Sequence, residues 1–291
     1  MSQPLEGRIR SVRTDEIDRW CEAPLPPADP RLGVWRDGER AWVERWETPP
    51  SRLFVFETPD GDLLGKYDVP IVRDRGWTLW APTVRKGPEA EAVMDALCGH
   101  QVAEARRLGV GRVELLLERG HGLYDLARAA LPRAGYAFEE ERVVVAVDLQ
   151  KPLPETALAL DVRPARDLSE AALRQLCRDA EIPDSSTEEL LPSGAGLDLG
   201  VVVFEGGRPI GLALAQNPVD PEELIDHGIG VVPDARGRGV GRALVRAFLA
   251  RGHEQGAKIY VASTAEDNAA MCRVFETLGA EVVGKRSVFR L

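Results

Sequence analysis

The strongest constraint on how this chain can fold is that its pattern of elements is written twice. Arg8-Ile9-Arg10-Ser11-Val12-Arg13 with the helix-like run Asp15–Cys21 matches Leu160-Asp161-Val162-Arg163-Pro164-Ala165 with Ser169–Cys177. Leu53-Phe54-Val55-Phe56-Glu57, a turn at Pro59–Asp62 and Leu63–Val69 return as Val201-Val202-Val203-Phe204-Glu205, Gly206–Pro209 and Ile210–Gln216. These β-branched runs around turn residues are hairpin signals. A helix-period segment and strand (Glu89–Leu108, Val113–Leu117) return as Gly241–His253 and Lys258–Ser263. Leu131–Gly135 before Val143–Leu149 returns as Phe275–Gly279 before Glu281–Arg290. Pairing Arg10 with Arg163, Phe56 with Phe204, Gly65 with Gly211 and Gly135 with Gly279 gives offsets of 153, 148, 146 and 144. Order is kept with small insertions and deletions, as expected of one duplicated unit.

Each half reads strand, helix, three strands, helix, strand, helix, strand. That order predicts an α/β fold, a mixed central sheet with helices on both faces in each of two tandem domains. Lys151-Pro152-Leu153-Pro154 breaks strand and helix alike, so the expected boundaries are 1–150, a linker at 151–157, and 158–291. The six tryptophans, Trp20, Trp35, Trp42, Trp46, Trp77 and Trp80, all fall in the first half, where they are expected to pack rather than to cage a ligand.

Composition narrows the partners. The net charge of −10 divides evenly: residues 1–150 hold 21 basic and 26 acidic side chains and residues 151–291 hold 16 and 21. Neither half has the basic field of a nucleic-acid binder. No apolar run spans a bilayer and the N-terminus lacks a signal-peptide core, so a cytoplasmic protein with no membrane partner is expected. Cys21, Cys98, Cys177 and Cys272 lie far apart, without metal-binding spacing, so reduced thiols and no metal are expected.

The chemistry concentrates at 231–244, Val-Val-Pro-Asp-Ala-Arg-Gly-Arg-Gly-Val-Gly-Arg-Ala-Leu, between a predicted strand (Ile225–Val232) and an amphipathic helix (Val240–His253). A glycine-rich turn entering a helix N-terminus aims backbone N–H groups and the helix dipole at an anion. Gly237, Gly239 and Gly241 let the backbone come close to phosphate oxygens, and Arg236, Arg238 and Arg242 add charge. A Walker loop would need Gly-Lys-Ser/Thr, and a dinucleotide fingerprint another glycine and a later acidic residue; neither is present.

Val231-x-Pro233-x-x-Arg236-Gly237-x-Gly239-x-Gly241-x-x-Leu244 resembles the acetyl-CoA pyrophosphate motif of the GNAT superfamily of N-acetyltransferases, and Asn268-Ala-Ala-Met271-x-x-x-Phe275-x-x-Leu278-Gly279 resembles its later helix motif. Residues 158–291 fit the family order and residues 1–150 fit it as a diverged copy, an architecture similar to that of the mycothiol synthases. The resemblance implies acetyl-CoA as the acyl donor, held by Ile229, Gly230 and Val231 along the pantetheine arm, by Arg236, Gly237, Arg238, Gly239, Val240, Gly241 and Arg242 at the pyrophosphate, and by Asn268 and Phe275. It also implies two parallel strands that splay apart, with a backbone N–H near Ile229 or Gly230 facing the oxyanion. Asn268 equally suits an N-cap. In the first half the corresponding stretch, Trp80–Glu89, keeps one glycine and puts Pro88, Glu89 and Glu91 at the helix start. That end is expected to reject a pyrophosphate, leaving the N-terminal domain to pack, dimerise or shape the acceptor pocket.

An acceptor amine with a pKa of about 10 is mostly protonated at neutral pH, so transfer needs a base. The candidates are His227, Asp226 and Glu223 on or beside the motif strand, with His227 closest to the required pKa. Strict alternation predicts that Asp226 and His227 face opposite ways. The family's general acid is a tyrosine seven residues after the asparagine, where this chain has Phe275; Tyr260, mid-strand, is expected to pack. The expected activity is acetyl transfer to a primary amine of a small molecule by a monomer or homodimer. A non-catalytic acyl-CoA-binding sensor is the alternative.

Overall fold

The computed structural model describes residues 6–22, 43, 48–69, 77–119, 122–182, 197–216 and 222–291; Trp35, Trp42 and Trp46 lie outside them. The chain divides into two compact units. Unit 1 is Met1–Arg142 together with Gly284–Leu291, and unit 2 is Val143–Val283.

Unit 1 runs β1 (Arg8–Ser11), α1 (Ile17–Glu22), β2 (Leu53–Glu57), β3 (Leu63–Asp68), β4 (Trp77–Trp80), β5 (Thr83–Val84), α2 (Ala90–Arg107), β6 (Val113–Glu118), α3 (Tyr124–Ala134) and the start of β7 (Ala137–Asp148). Unit 2 runs β8 (Asp161–Pro164), α4 (Glu170–Asp179), β9 (Val201–Glu205), β10 (Arg208–Gln216), β11 (Glu223–Val231), α5 (Val240–Glu254), β12 (Ile259–Ala265), α6 (Ala269–Thr277) and the start of β13 (Glu281–Arg290). The two orders agree element for element, except that the fourth strand of unit 1 comes in two pieces. The break falls at Ala81-Pro82, where proline cannot donate to a ladder.

Both copies contain a fork. In unit 1, β4 pairs in parallel with β6 through Trp80↔Leu116, and after two intervening residues β5 pairs with β3 through Lys66↔Thr83 and Gly65↔Val84. In unit 2, β11 pairs in parallel with β12 only at Glu223↔Ile259, Leu224↔Tyr260 and Ile225↔Val261. From Ile225 to Val231 it pairs antiparallel with β10.

The compact units are cut differently from the expected boundary near Lys151–Pro154. From Val143 onward β7 counts with unit 2, where β12 is its neighbour and Leu149 N donates to Lys258 O at 2.9 Å. The last eight residues count with unit 1, where β13 pairs antiparallel with β6 from Arg286↔Glu118 to Arg290↔Glu114. Val288 and Phe289 are buried there. The later part of each copy's closing strand therefore counts with the other copy's unit.

Unit 2 carries the glycine motif, and its core sets the motif's position. Along α5 the buried residues Val240, Ala243, Leu244, Phe248 and Leu249 fall on one stripe at helical spacing. On α4, Leu173, Leu176 and Cys177 do the same, below an N-cap in which Ser169 Oγ accepts from Ala172 N at 3.3 Å. Both stripes join the buried strands Val201–Phe204 and Ile210–Ala215 in one core. All four cysteines are free thiols. Among the described residues no helix is long and apolar enough to cross a membrane.

Candidate active site

Among the described residues no strand covers the edge of β11 that faces β12 beyond Ile225, because β12 pairing ends at Ile225↔Val261. The expected splay is present, and its vertex lies at Ile225. Residues Asp226–Val231 thus present backbone groups along one open edge while β10 satisfies the other. An extended ligand arm with amide groups can pair there as an added strand would. One of these groups is taken: Arg236 Nε donates to Val231 O at 2.8 Å.

The glycine motif leads from β11 into α5. Gly237 and Gly239 have φ of +74° and +83°, the left-handed region that glycine enters without strain, and Gly239 is the N-cap residue of α5. A Cβ on either would meet nothing within 4 Å, so conformation demands glycine here and the space beside it is open. The first N–H groups of α5 have no intrahelical partner, and no acidic residue occupies its first turn. Donors, dipole and open space therefore suit a polyanion. The counterpart in unit 1 differs in charge and in backbone conformation: α2 has Glu89 at its N-cap, Glu91 in its first turn, and no residue from 85 to 89 at positive φ.

The three arginines are engaged by the protein. Arg236 pairs with Glu181 at 2.7 Å and Arg238 makes a two-pronged contact with Glu205 at 3.1 and 3.0 Å. Arg242 donates to the Glu155 carbonyl at 2.8 Å. Both ion pairs are about half exposed; such pairs contribute about 0–1 kcal/mol, so they are easily exchanged for a phosphate.

At Gly230 the close neighbour is protein. A Cβ there would lie 2.9 Å from Ala180 Cβ and 2.8 Å from Ile182 Cγ1, at the turn that ends α4. Ile229 and Val231 pair with Ala213 and Gly211 on β10, and Val240 is buried in the core. Asn268 is the N-cap of α6, its side chain accepting from Met271 N at 3.2 Å and donating to Thr264 Oγ1 at 3.1 Å. Phe275 is buried in the core of unit 2.

The three base candidates occupy different places. Glu223 is buried in the paired stretch behind the vertex. Ala215 pairs with Asp226 and Leu214 with Gly228, which leaves His227 as the extra residue of a β-bulge. The alternation on which the expected facing of Asp226 and His227 rested is interrupted here, because a bulge sets two residues against one. Asp226 sits immediately past the vertex, where Tyr260 Oη donates to its Oδ1 at 2.8 Å. Loss of hydration pushes the Asp226 carboxyl up to about 6, although the tyrosine bond pulls the other way.

Tyr260 was expected only to pack. It is fully buried, with ring centroids 6.0 Å from Phe248 and 6.3 Å from Phe275, and its hydroxyl also donates to Asp226. No spacing rule could find this contact, because it joins two strands 34 residues apart.

Residues 168–280 match the sequence profile of the acetyltransferase (GNAT) family. This segment is similar to a GNAT domain. The whole chain superposes on a GCN5-related N-acetyltransferase from Sphaerobacter thermophilus with a TM-score of 0.75 at 19% identity, covering 100% of this chain and 96% of that one. A tandem GNAT protein from the clavulanic acid biosynthesis pathway gives 0.66 at 16% identity, over 98% of both chains. A glucosamine N-acetyltransferase region of a fungal multi-domain β-N-acetylglucosaminidase gives 0.72 at 13% identity, over 99% of this chain and 38% of that one. At these identities the likeness establishes fold: two tandem GNAT-like domains, the second carrying the family profile. No protein of curated function matches the sequence.

Proposed function

We propose that unit 2 transfers an acetyl group from acetyl-CoA to a primary amine of a small molecule. The observation that carries this reading is the fork: one open strand edge leads from an ionisable carboxyl at its vertex to a glycine loop at a helix N-terminus. The α5 N-terminus with Gly237, Gly239 and Gly241 would hold the pyrophosphate, with Arg236, Arg238 and Arg242 within reach of it. The edge at Ile229–Val231 would hold the pantetheine arm, and acetyl-CoA supplies the activated acyl thioester. Asn268 and Phe275 act behind the site, one as a helix cap and the other in the core.

Asp226 is the preferred base. With its pKa about 6 it is largely ionised at pH 7 and can accept the proton that the acceptor nitrogen sheds as it attacks the thioester. His227, in the bulge beside it, is the second candidate, and Glu223 lies behind the vertex. Phe275 has no proton to give, and burial and Asp226 together raise the pKa of Tyr260, so the departing thiolate takes its proton from solvent or from protonated Asp226. Unit 1, with acidic residues at the matching helix start, does not bind acyl-CoA in this way.

Phe275 in place of a tyrosine favours one other reading, an acyl-CoA-binding sensor on the same scaffold. Thiol release from acetyl-CoA across a panel of amines, with calorimetric binding of coenzyme A, decides between them. Transfer with one coenzyme A per chain is the expected result. Binding without turnover favours the sensor, and two per chain refutes the assignment of unit 1.

A further inference from the structure

A phenol buried as deeply as Tyr260 needs a hydrogen-bond partner, and it could have been satisfied by any nearby carbonyl. Its partner is instead the carboxylate at the vertex of the fork. The ring stands in the paired part of β12 opposite Leu224, and three elements hold it: Phe248 of α5 meets it almost at a right angle, Phe275 of α6 meets it at 53°, and β12 carries it. Phe275 brings a ring without a hydroxyl, so the donor of this aromatic cluster is Tyr260 Oη. Across the β10 ladder Asp226 faces Ala215, which has no polar side chain. Tyr260 is the titratable group facing Asp226 from β12; His227 follows it and Glu223 precedes it on its own strand, and α5 and α6 contribute Phe248 and Phe275.

We propose that Tyr260 is a positioning residue for acyl transfer: its hydroxyl, clamped by Phe248 and Phe275, aims the Asp226 carboxyl at the vertex and stabilises its ionised form. The inference rests on Asp226 as the base in the reading above. Opposing effects act on this carboxyl. Desolvation favours the neutral acid, which cannot accept a proton, and a hydrogen bond to the charged form opposes it. Without the tyrosine hydroxyl, only the smaller effect of a backbone hydrogen bond within Asp226 still opposes desolvation. The tyrosine would thus let the protein bury its base, away from competing water, and still keep it ionised near neutral pH.

The test is Tyr260→Phe in the full chain, which removes one oxygen and keeps the ring packing. The Asp226 carboxyl is titrated by ¹³C NMR without ligand, its signal assigned by its loss in Asp226→Asn. The expected midpoint is near 6 in the wild type, higher by roughly one unit in Tyr260→Phe, a tenfold gain in proton affinity. The acid limb of kcat/KM moves up by the same amount while the alkaline plateau is retained, which a merely structural role would not produce. Equal midpoints in the two proteins overturn the proposal. If Tyr260→Phe fails to fold, 3-fluorotyrosine labelling of the wild type strengthens the donor and lowers the midpoint; no movement there also overturns it. Full activity in Asp226→Asn refutes Asp226 as base, whereas the NMR midpoints still report whether Tyr260 governs the carboxyl.

Discussion

Phe289→Ala tests where the end of the chain belongs. Phe289 is 1% exposed on β13, pairs with Leu115 of β6, and meets the ring of Phe138 edge-on at 5.7 Å. It is part of the same core cluster as Met94, Leu97, Leu115 and Leu117, all of unit 1. Truncating a buried phenylalanine costs about 3–5 kcal/mol, more where the walls cannot collapse into the cavity. Here one wall is the ladder of β6 and another the fully buried side of α2, so a value near ~4 kcal/mol is expected, out of a total of about 5–15. At about 1.4 kcal/mol per factor of ten, that is nearly a thousandfold change in the opening equilibrium. Hydrogen exchange read by mass spectrometry resolves where it falls. Amides of 113–118 should exchange roughly 10²–10³ times faster in the variant, while those of 201–216 in unit 2 stay protected. Loss of protection confined to 201–216, or none at 113–118, would show that the last strand packs with the residues that precede it in sequence, and the strand exchange would be wrong.

Other outcomes follow from the same geometry. Glu205→Gln frees Arg238 from a half-exposed ion pair and should tighten coenzyme A binding up to about fivefold, given about 0–1 kcal/mol for such pairs; calorimetry showing no change would remove Arg238 from the phosphate site. Gly239→Ala puts a Cβ at φ +83°, costs about 1–2 kcal/mol, and should weaken coenzyme A binding more than it lowers Tm; intact binding would count against the loop as the phosphate cradle. In unit 1, Arg10 bonds both Glu16 and Glu57 and holds each carboxyl down to about 2. Depressed values in the folded state mean stabilisation that is complete above the unfolded pKa of 4.5 and lost as pH falls through about 2. Glu57→Gln should therefore lower Tm at pH 7 and flatten its decline between pH 4.5 and 2, and an unchanged acid slope would contradict this.

Much of this protein is visible in one reading of its residues, because the signals involved are local. Hydrophobic periodicity and turn residues announced the repeated element order, and Gly237 and Gly239 marked a loop that only glycine adopts comfortably, at the start of α5. Asn268 showed itself as a cap because a cap is a matter of three residues. The site's chemistry was less legible. His227 looked the better base on its intrinsic pKa, but the bulge and the burial of Asp226 are set by how β10, β11 and β12 lie together. Arg236 and Arg238 read as free charge until folding placed Glu181 and Glu205 beside them.

The sequence by itself determined that one α/β unit is written twice and that the glycine-rich turn entering a helix belongs to the second copy. Only the tertiary structure decided which strand closes which unit and which carboxyl Tyr260 meets. Strand pairing and desolvation depend on groups far apart along the chain: β6 and β13 are brought together across 168 residues, as Arg286 and Glu118 show, and a carboxyl's pKa follows from what surrounds it in space.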